Sequence, residues 1–163
     1  NLKCASCHDS FINDWTLADS YGLANIFSEG PLEIFQCDKP TGKKAATKFI
    51  YSELGDIDAQ AAKPQRLKAL AHVMTDKRNG RLSRTIVNRL WAKFMGRGLV
   101  EPLDDMEQTA WDPNVLDWLA EDLVAHGYDL KQTMERIVTS AAYQLPAAQL
   151  GEGESKNFIF KGP

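Results

Sequence analysis

The sequence predicts a mainly α protein, with a loop-rich N-terminal region followed by a packed helical region. From residue 64 onward, apolar side chains recur at the i, i+3, i+4, i+7 spacing of helices that pack by one face. Residues 32–58 lack this period and hold a cluster of turn-forming residues. We therefore expect two regions, 1–58 and 64–163, and we expect both to belong to a longer polypeptide.

The N-terminal region holds one predicted helix. Thr16 and Asp19 have the spacing of a capping box, in which a hydroxyl and a carboxylate satisfy the free N–H groups of the first turn. The helix should run to about Phe27 and end near Gly30 and Pro31. Two short extended segments, 33–36 and 48–51, should follow, separated by turn-forming residues 38–42.

Four apolar stripes predict the helices of the second region. Pro113 at the start of the third stripe and Gly127 after its end support that helix. The stripes are Leu67, Leu70, Ala71 and Met74; then Leu82, Ile86, Val87, Leu90, Trp91, Phe94 and Met95; then Val115, Leu116, Leu119, Leu123 and Val124; then Leu130, Met134, Ile137, Val138 and Ala141, before Pro146.

Composition argues against two classes of partner. The formal net charge is −3 and no basic block occurs, which argues against a nucleic-acid surface because phosphate binding needs clustered Lys and Arg. No apolar run approaches the roughly 20 residues that span a bilayer. Three cysteines are too few for a disulfide scaffold.

The motif that indicates chemistry is Cys4-Ala-Ser-Cys7-His8, a C-x-x-C-H sequence typical of covalent haem attachment. Two thiols at this spacing can each form a thioether to a vinyl group of one porphyrin. The histidine that follows can then reach the iron as the proximal ligand. We predict haem c on Cys4 and Cys7, with His8 on the iron.

Two other interpretations of the cysteines stay open. A C-x-x-C pair can be a redox dithiol. A zinc site needs four ligands, and Cys4, Cys7, His8 and Cys37 would formally supply them, although adjacent Cys7 and His8 make that geometry awkward. Cys37 has no neighbour in sequence to pair with, so we expect a buried free thiol there.

The far side of the iron has two candidate ligands. His72 lies just off the apolar stripe of its helix, and Met106 lies in a loop where packing explains it least. Five-coordinate iron is the alternative. Cover for the haem would come from the apolar residues that follow the motif, which are Phe11, Trp15, Tyr21, Leu23 and Phe27.

Other charged residues have simpler interpretations. Asp9 and Asp14 are expected to cap local structure. Four arginines of the second region are expected to pair with nearby acids, and binding of a haem propionate by one of them is the alternative. The arginines are Arg81, Arg84, Arg89 and Arg97, and the acids are Glu101, Asp104 and Asp105.

Several segments together resemble a known group of proteins. CASCHDSFINDW and DSYGLANIF, within residues 1–27, look like the end of a cytochrome-c-associated domain common in planctomycete proteins. RTIVNRLW (84–91) and GRGLVEP (96–102) resemble the start of the partner domain that follows it. LDWLA, GYDL and TSAAYQ continue the likeness, which covers nearly the whole chain.

The resemblance implies a large exported protein that transfers electrons, in a group often encoded beside polysaccharide-degrading systems. Many members read CHDHP where this chain has Cys7-His8-Asp9-Ser10-Phe11, so a second histidine close to the motif is absent. Its partners would be a redox protein or other haem domains of the same polypeptide. Export also agrees with the chemistry, because thioether attachment and the oxidation of C-x-x-C belong outside the cytoplasm.

We therefore expect an electron carrier rather than a catalyst. The first alternative is a structural or partner-binding module, in which the helical region binds a partner and the haem is auxiliary. The second is an oxidoreductase that uses an open haem site or the C-x-x-C dithiol. A ligand on both faces of the iron would favour electron transfer.

Overall fold

The computed structural model describes residues 5, 7–11, 14–149, 158 and 160–163. Over these residues the fold is mainly α, as predicted, with five α-helices and one two-stranded sheet. In chain order the elements are α1 (Leu17–Asn25), β1 (Glu33–Gln36), β2 (Lys39–Lys44), a short 3-10 helix (Ser52–Leu54), α2 (Lys63–Met74), α3 (Gly80–Met95), α4 (Pro113–Ala125) and α5 (Leu130–Val138).

The chain divides into two compact units, Asn1–Asn79 and Gly80–Pro163. The first unit contains α1, the β-hairpin and α2, and the second contains α3, α4 and α5. The predicted regions, 1–58 and 64–163, instead place α2 with the helices that follow it, and that boundary stays a prediction. None of the helices in the described part of the chain is both long and apolar enough to cross a bilayer.

The capping box at the start of α1 is confirmed. The Asp19 backbone N donates to Thr16 Oγ1 at 3.1 Å, and the Thr16 backbone N donates to Asp19 Oδ2 at 2.9 Å. Asp9 adds a further cap, because its Oδ1 accepts from the Leu17 backbone N at 2.8 Å. These bonds satisfy the first N–H groups of the helix, which have no partner within it.

One of the two predicted extended segments is wrong. β1 occupies Glu33–Gln36 as expected, but residues 48–51 form no strand, and the antiparallel partner of β1 is Lys39–Lys44, which overlaps the expected turn at 38–42. The chain reverses over two residues, Cys37 and Asp38, whose φ angles are 49° and 67°. Two positive φ angles give the twist that a two-residue hairpin needs, so the following Lys39–Lys44 pairs despite its Pro and Gly.

A small apolar core and one buried arginine hold the first unit together. The core residues are Ile26, Phe49, Ile57, Leu70 and Val73. Arg66, on α2 and only 8% exposed, donates from Nε to the Ile26 carbonyl at 3.2 Å and from Nη1 to the Ala61 carbonyl at 2.9 Å. Its Nη2 donates to the Ser28 carbonyl. The guanidinium therefore ties α2 to the chain that leaves α1.

The second unit packs α3, α4 and α5 around a larger core. Val87, Trp91 and Met95 lie four residues apart on one face of α3, so all three point toward the same neighbours. The predicted stripes on α3 and α4 contribute most of this core, which comprises Val87, Trp91, Met95, Leu99, Val100, Leu116, Leu119, Ala120, Leu123 and Ile137. Burial of side chains of this size stabilises the fold by roughly 1.5–3 kcal/mol each.

A buried amide connects α3 to the loop that follows it. Asn88 is fully buried, and its Nδ2 donates to the carbonyls of Val100 and Leu103, both at 2.9 Å. Its Oδ1 accepts from the Val100 backbone N at 2.9 Å. A Cβ atom on Gly98 would lie 2.5 Å from the Val100 carbonyl oxygen, so this turn has no space for a larger residue. The GRGLVEP segment is therefore held through its backbone atoms, which bond to the Asn88 side chain.

α5 is shorter than its apolar stripe, which continues to Ala141. The helix ends at Val138, and hydroxyls after it bond to carbonyls of its last turn: Thr139 Oγ1 donates to the Glu135 carbonyl at 2.7 Å, and Ser140 Oγ donates to the Ile137 carbonyl at 2.7 Å. These bonds occupy carbonyls at the helix end.

Candidate functional site

The segment around the C-x-x-C-H motif is partly described. Cys4 lies outside the described residues, and so does its predicted thioether. Ala5 is fully buried, whereas Cys7 is exposed and His8 is partly exposed. Ala5 therefore anchors the segment while Cys7 and His8 remain accessible to a ligand.

His8 is positioned as a metal-binding histidine would be. Its Nδ1 lies 2.7 Å from the Asp9 carbonyl oxygen. When Nδ1 carries the proton and donates to that carbonyl, the lone pair is on Nε2, and a backbone carbonyl on the other ring nitrogen is a common companion of metal-bound histidine. The Phe11 ring lies 4.7 Å from the His8 ring between centroids and is 89% exposed. An imidazole and an uncovered aromatic ring therefore lie side by side.

The hairpin brings Cys37 to Cys7, which the sequence prediction missed. The Cys37 backbone N donates to the Cys7 carbonyl at 3.2 Å, and the two Sγ atoms are 3.6 Å apart. Both thiols are exposed and free. Cys37 is therefore a free thiol, as expected, but the expectation that it is buried is wrong. The reason is the two-residue turn at Cys37 and Asp38, which projects the side chain outward at the tip of the hairpin.

The contact changes the chemistry of Cys37. The side-chain hydrogen bond between Cys37 and Cys7, together with the negative charge of an ionised Cys7, raises the pKa of Cys37 above its ordinary value. Loss of the Cys37 proton would place a second negative charge next to the first. Cys37 therefore stays protonated over a wider pH range than an isolated thiol.

Asn25 holds the base of the hairpin against α1. Its Nδ2 donates to Thr47 Oγ1 at 2.8 Å and to the Ala45 carbonyl at 3.3 Å. Its Oδ1 accepts from the Leu32 backbone N at 2.8 Å. This buried amide therefore fixes both the entry to the hairpin and the exit from it, so the position of Cys37 depends on a rigid base.

The donor set of the described residues fits a covalent haem. Cys7 offers an accessible thiol, His8 has an arrangement suited to iron binding through Nε2, and Phe11 offers an uncovered aromatic face. Of the other predicted cover residues, Phe27 is 51% exposed, while the remaining ones are partly buried. Those remaining residues are Trp15, Tyr21 and Leu23.

No group of three or more His, Cys, Asp or Glu able to hold a metal ion occurs among the residues that the structure describes. The zinc alternative needs Cys4 as well as Cys7, His8 and Cys37, and Cys4 lies outside the described residues. That alternative therefore stays a hypothesis.

The two predicted distal ligands lie in different units. His72 is exposed on α2. It lies close to Asp76, whose pKa is lowered to about 2, mainly by the hydrogen bond from the Arg78 side chain and to a smaller extent by the charge of His72. Met106 is partly buried and packs against the core of the second unit. Packing therefore explains Met106 better than the sequence indicated, and both distal assignments remain predictions.

The arginines of α3 form ion pairs, but with a different set of acids from the one expected. Arg89 pairs with Asp104 at 2.7 Å, as predicted. Arg84 pairs with Asp117 at 2.7 Å and Arg81 with Glu107 at 3.4 Å. Asp117 and Glu107 were missed because they approach α3 only through the packing of the second unit.

The second unit contains a cavity that the sequence did not indicate. Its volume is about 550 Å³, within the range of small-ligand sites, and its walls are mostly apolar. Trp118 is 55% exposed at this cavity, and the Arg136 guanidinium lies 5.9 Å from its ring centroid. Other lining residues are Trp91, Val115, Leu119 and Ile137. The walls therefore suit an apolar group better than a charged one.

The chain belongs to the family described as PSD1, protein of unknown function (DUF1553), which matches residues 65–157. The matched range contains the buried Asn88, its loop and the cavity at Trp118. No curated protein and no solved structure matches the chain.

Proposed function

We propose that this chain carries one covalently attached haem c and transfers electrons. Cys4 and Cys7 would hold the porphyrin, and His8 would be the proximal ligand of the iron. The observation that supports this best is the His8 ring, whose Nδ1 lies 2.7 Å from the Asp9 carbonyl oxygen within a C-x-x-C-H motif. That contact orients the ring and leaves Nε2 for a metal.

The residues around His8 would bind and orient the cofactor. Phe11, next to the His8 ring and largely exposed, would cover one face of the porphyrin and exclude water from it. The bonds from Asp9 and the capping box hold the start of α1 directly after the motif. The chemistry that a haem supplies when bound is the uptake and release of one electron at its iron.

The wider setting is part of the same proposal. The resemblance of the N-terminal segment to planctomycete cytochrome-c-associated proteins supports an exported protein, in the periplasm or beyond it. Electron exchange would then take place with a redox protein or with other haem domains of the same polypeptide. Surface exposure of Cys7 and Phe11 supports this, since a haem edge near the surface allows electron exchange.

Covalent haem is the first testable prediction. We expect the chain, produced in a bacterial periplasm together with a haem-attachment machinery, to give a c-type pyridine haemochrome spectrum. The haem should stay with the polypeptide after denaturation and solvent extraction, because a thioether survives both. Replacing both Cys4 and Cys7 with serine should reduce this covalent haem to background.

The matched control is Cys37→Ser, which removes a thiol from the same neighbourhood but outside the motif. This variant should retain covalent haem at no less than the wild-type level. A wild-type chain that holds no haem and carries a Cys4–Cys7 disulfide instead would contradict the proposal.

The distal ligand is a second prediction, tested on the haem-loaded protein. If His72 or Met106 binds the iron, replacing that residue with alanine should abolish the low-spin absorption spectrum. His126→Ala is the control for His72, because His126 is also exposed and its Nδ1 already contacts the Asp122 carbonyl at 2.8 Å. A spectrum that neither His72→Ala nor Met106→Ala alters would remove both residues as ligands.

A further inference from the structure

Cys7 has a second covalent partner within reach. Its Sγ lies 3.6 Å from Cys37 Sγ, although the two residues are 30 positions apart in the chain. A disulfide bond is about 2.05 Å long, so the sulfur atoms need to approach by about 1.5 Å. Both side chains are exposed, which leaves space for a change of χ1 at either residue.

The backbone already holds the two residues together. The Cys37 backbone N donates to the Cys7 carbonyl at 3.2 Å, and the Cys37 thiol lies 3.7 Å from the same oxygen. The two-residue turn and the Asn25 contacts hold the hairpin that carries Cys37. The approach of the two thiols is therefore a property of the fold rather than of one side-chain rotamer.

We propose that Cys7 and Cys37 form a thiol–disulfide couple, in which Cys37 is the alternative covalent partner of Cys7. The oxidant would be a disulfide, either of a small thiol or of a partner protein. One Cys thiolate attacks the oxidant to give a mixed disulfide, and the second Cys displaces it. The Cys7–Cys37 bond forms, the bond of the oxidant breaks, and the two protons and two electrons leave with two reduced thiols.

The couple has a consequence for cofactor attachment, and this part alone depends on the proposed function. A Cys7 sulfur in a disulfide cannot form a thioether, so the oxidised couple and the attached haem exclude each other at Cys7. Reduction of the Cys7–Cys37 bond would therefore have to precede attachment. Cys37→Ser should increase the fraction of chains with two thioethers when the oxidant is in excess.

The test is to map disulfides in the full chain, produced without haem and equilibrated with mixtures of oxidised and reduced glutathione. Free thiols are alkylated, and the chain is digested without reduction by a protease that cleaves after glutamate. Cleavage at Glu29 and Glu33 separates Cys37 from the other cysteines. We expect a cross-linked pair of peptides with alkylated Cys4.

Two variants make the assignment specific. Cys4→Ser should leave the cross-linked fraction within about twofold of wild type, because Cys7 and Cys37 both remain, whereas Cys37→Ser should abolish it. Thiols that all stay free in excess oxidant, or a Cys4–Cys7 disulfide in the wild type, would overturn the couple. If neither the wild type nor Cys37→Ser binds haem covalently, the proposed function is overturned. The presence or absence of the Cys7–Cys37 cross-link would still test the thiol–disulfide couple independently.

Discussion

Replacing Asn88 with alanine should lower the free energy of unfolding of the second unit by about 3 kcal/mol. The change removes three hydrogen bonds and leaves the Val100 N–H and the Val100 and Leu103 carbonyls without their partner. A buried polar group that loses its partner costs roughly 1–3 kcal/mol, and water entering the space left by the amide would offset part of that sum. Denaturant unfolding followed by tryptophan fluorescence measures the loss.

Hydrogen exchange shows where the Asn88→Ala substitution destabilises the second unit. Amide hydrogen exchange at Val100 should become much faster in Asn88→Ala, because the acceptor of that N–H is gone. Asn114→Ala is the control, since Asn114 is exposed at the start of α4 and should change stability by no more than about 0.5 kcal/mol. A loss below about 1 kcal/mol for Asn88→Ala would show that the amide does not hold the loop.

Replacing Arg66 with methionine should destabilise the first unit by about 3 kcal/mol. Methionine keeps much of the apolar contact of the side chain but donates to none of the three carbonyls that the guanidinium contacts, those of Ile26, Ser28 and Ala61. Arg66→Lys should recover only part of the loss, because an ammonium group lacks the planar fork that reaches several acceptors at once. Denaturant unfolding measures both variants.

Lys63→Met provides the comparison on the same helix. Lys63 forms an ion pair with Glu29 at 2.6 Å at the surface of the unit, where solvent screens the attraction. Its replacement should therefore cost much less than that of Arg66. Equal losses from the two variants would contradict the assignment of Arg66 as the residue that ties α2 to the end of α1.

Local patterns predicted the helices well and the hairpin poorly. A helix buries one face at a spacing visible within a few turns, so the stripes on α3 and α4 indicated the core of the second unit directly. Thr16 and Asp19 are likewise only three residues apart. Strand pairing instead depends on the turn, and Cys37-Asp38 is not the Asn-Gly type of sequence that announces a two-residue turn.

The candidate site shows the same division between local and distant contacts. Cys7 and His8 were found because one pentapeptide contains the whole motif. The approach of Cys37 to Cys7 depends on the turn, on Asn25 and on the strand register together, and none of these is a periodic property of the sequence. The buried roles of Asn88 and Arg66 were also missed, because a polar residue on a helix is normally assigned to the surface.

The composition of β2 disfavours strand pairing between two copies of the chain. All six residues of this outer strand are exposed, three of them are lysines, and Pro40 pairs with Phe35. In a two-residue hairpin the pair that closes the turn is hydrogen-bonded, so at the next pair the nitrogen of Pro40 points outward without a proton to donate. A strand from another molecule that paired with β2 would have to desolvate lysine ammonium groups, and it would lack one hydrogen bond at Pro40. The hairpin that presents Cys37 therefore resists edge-to-edge aggregation.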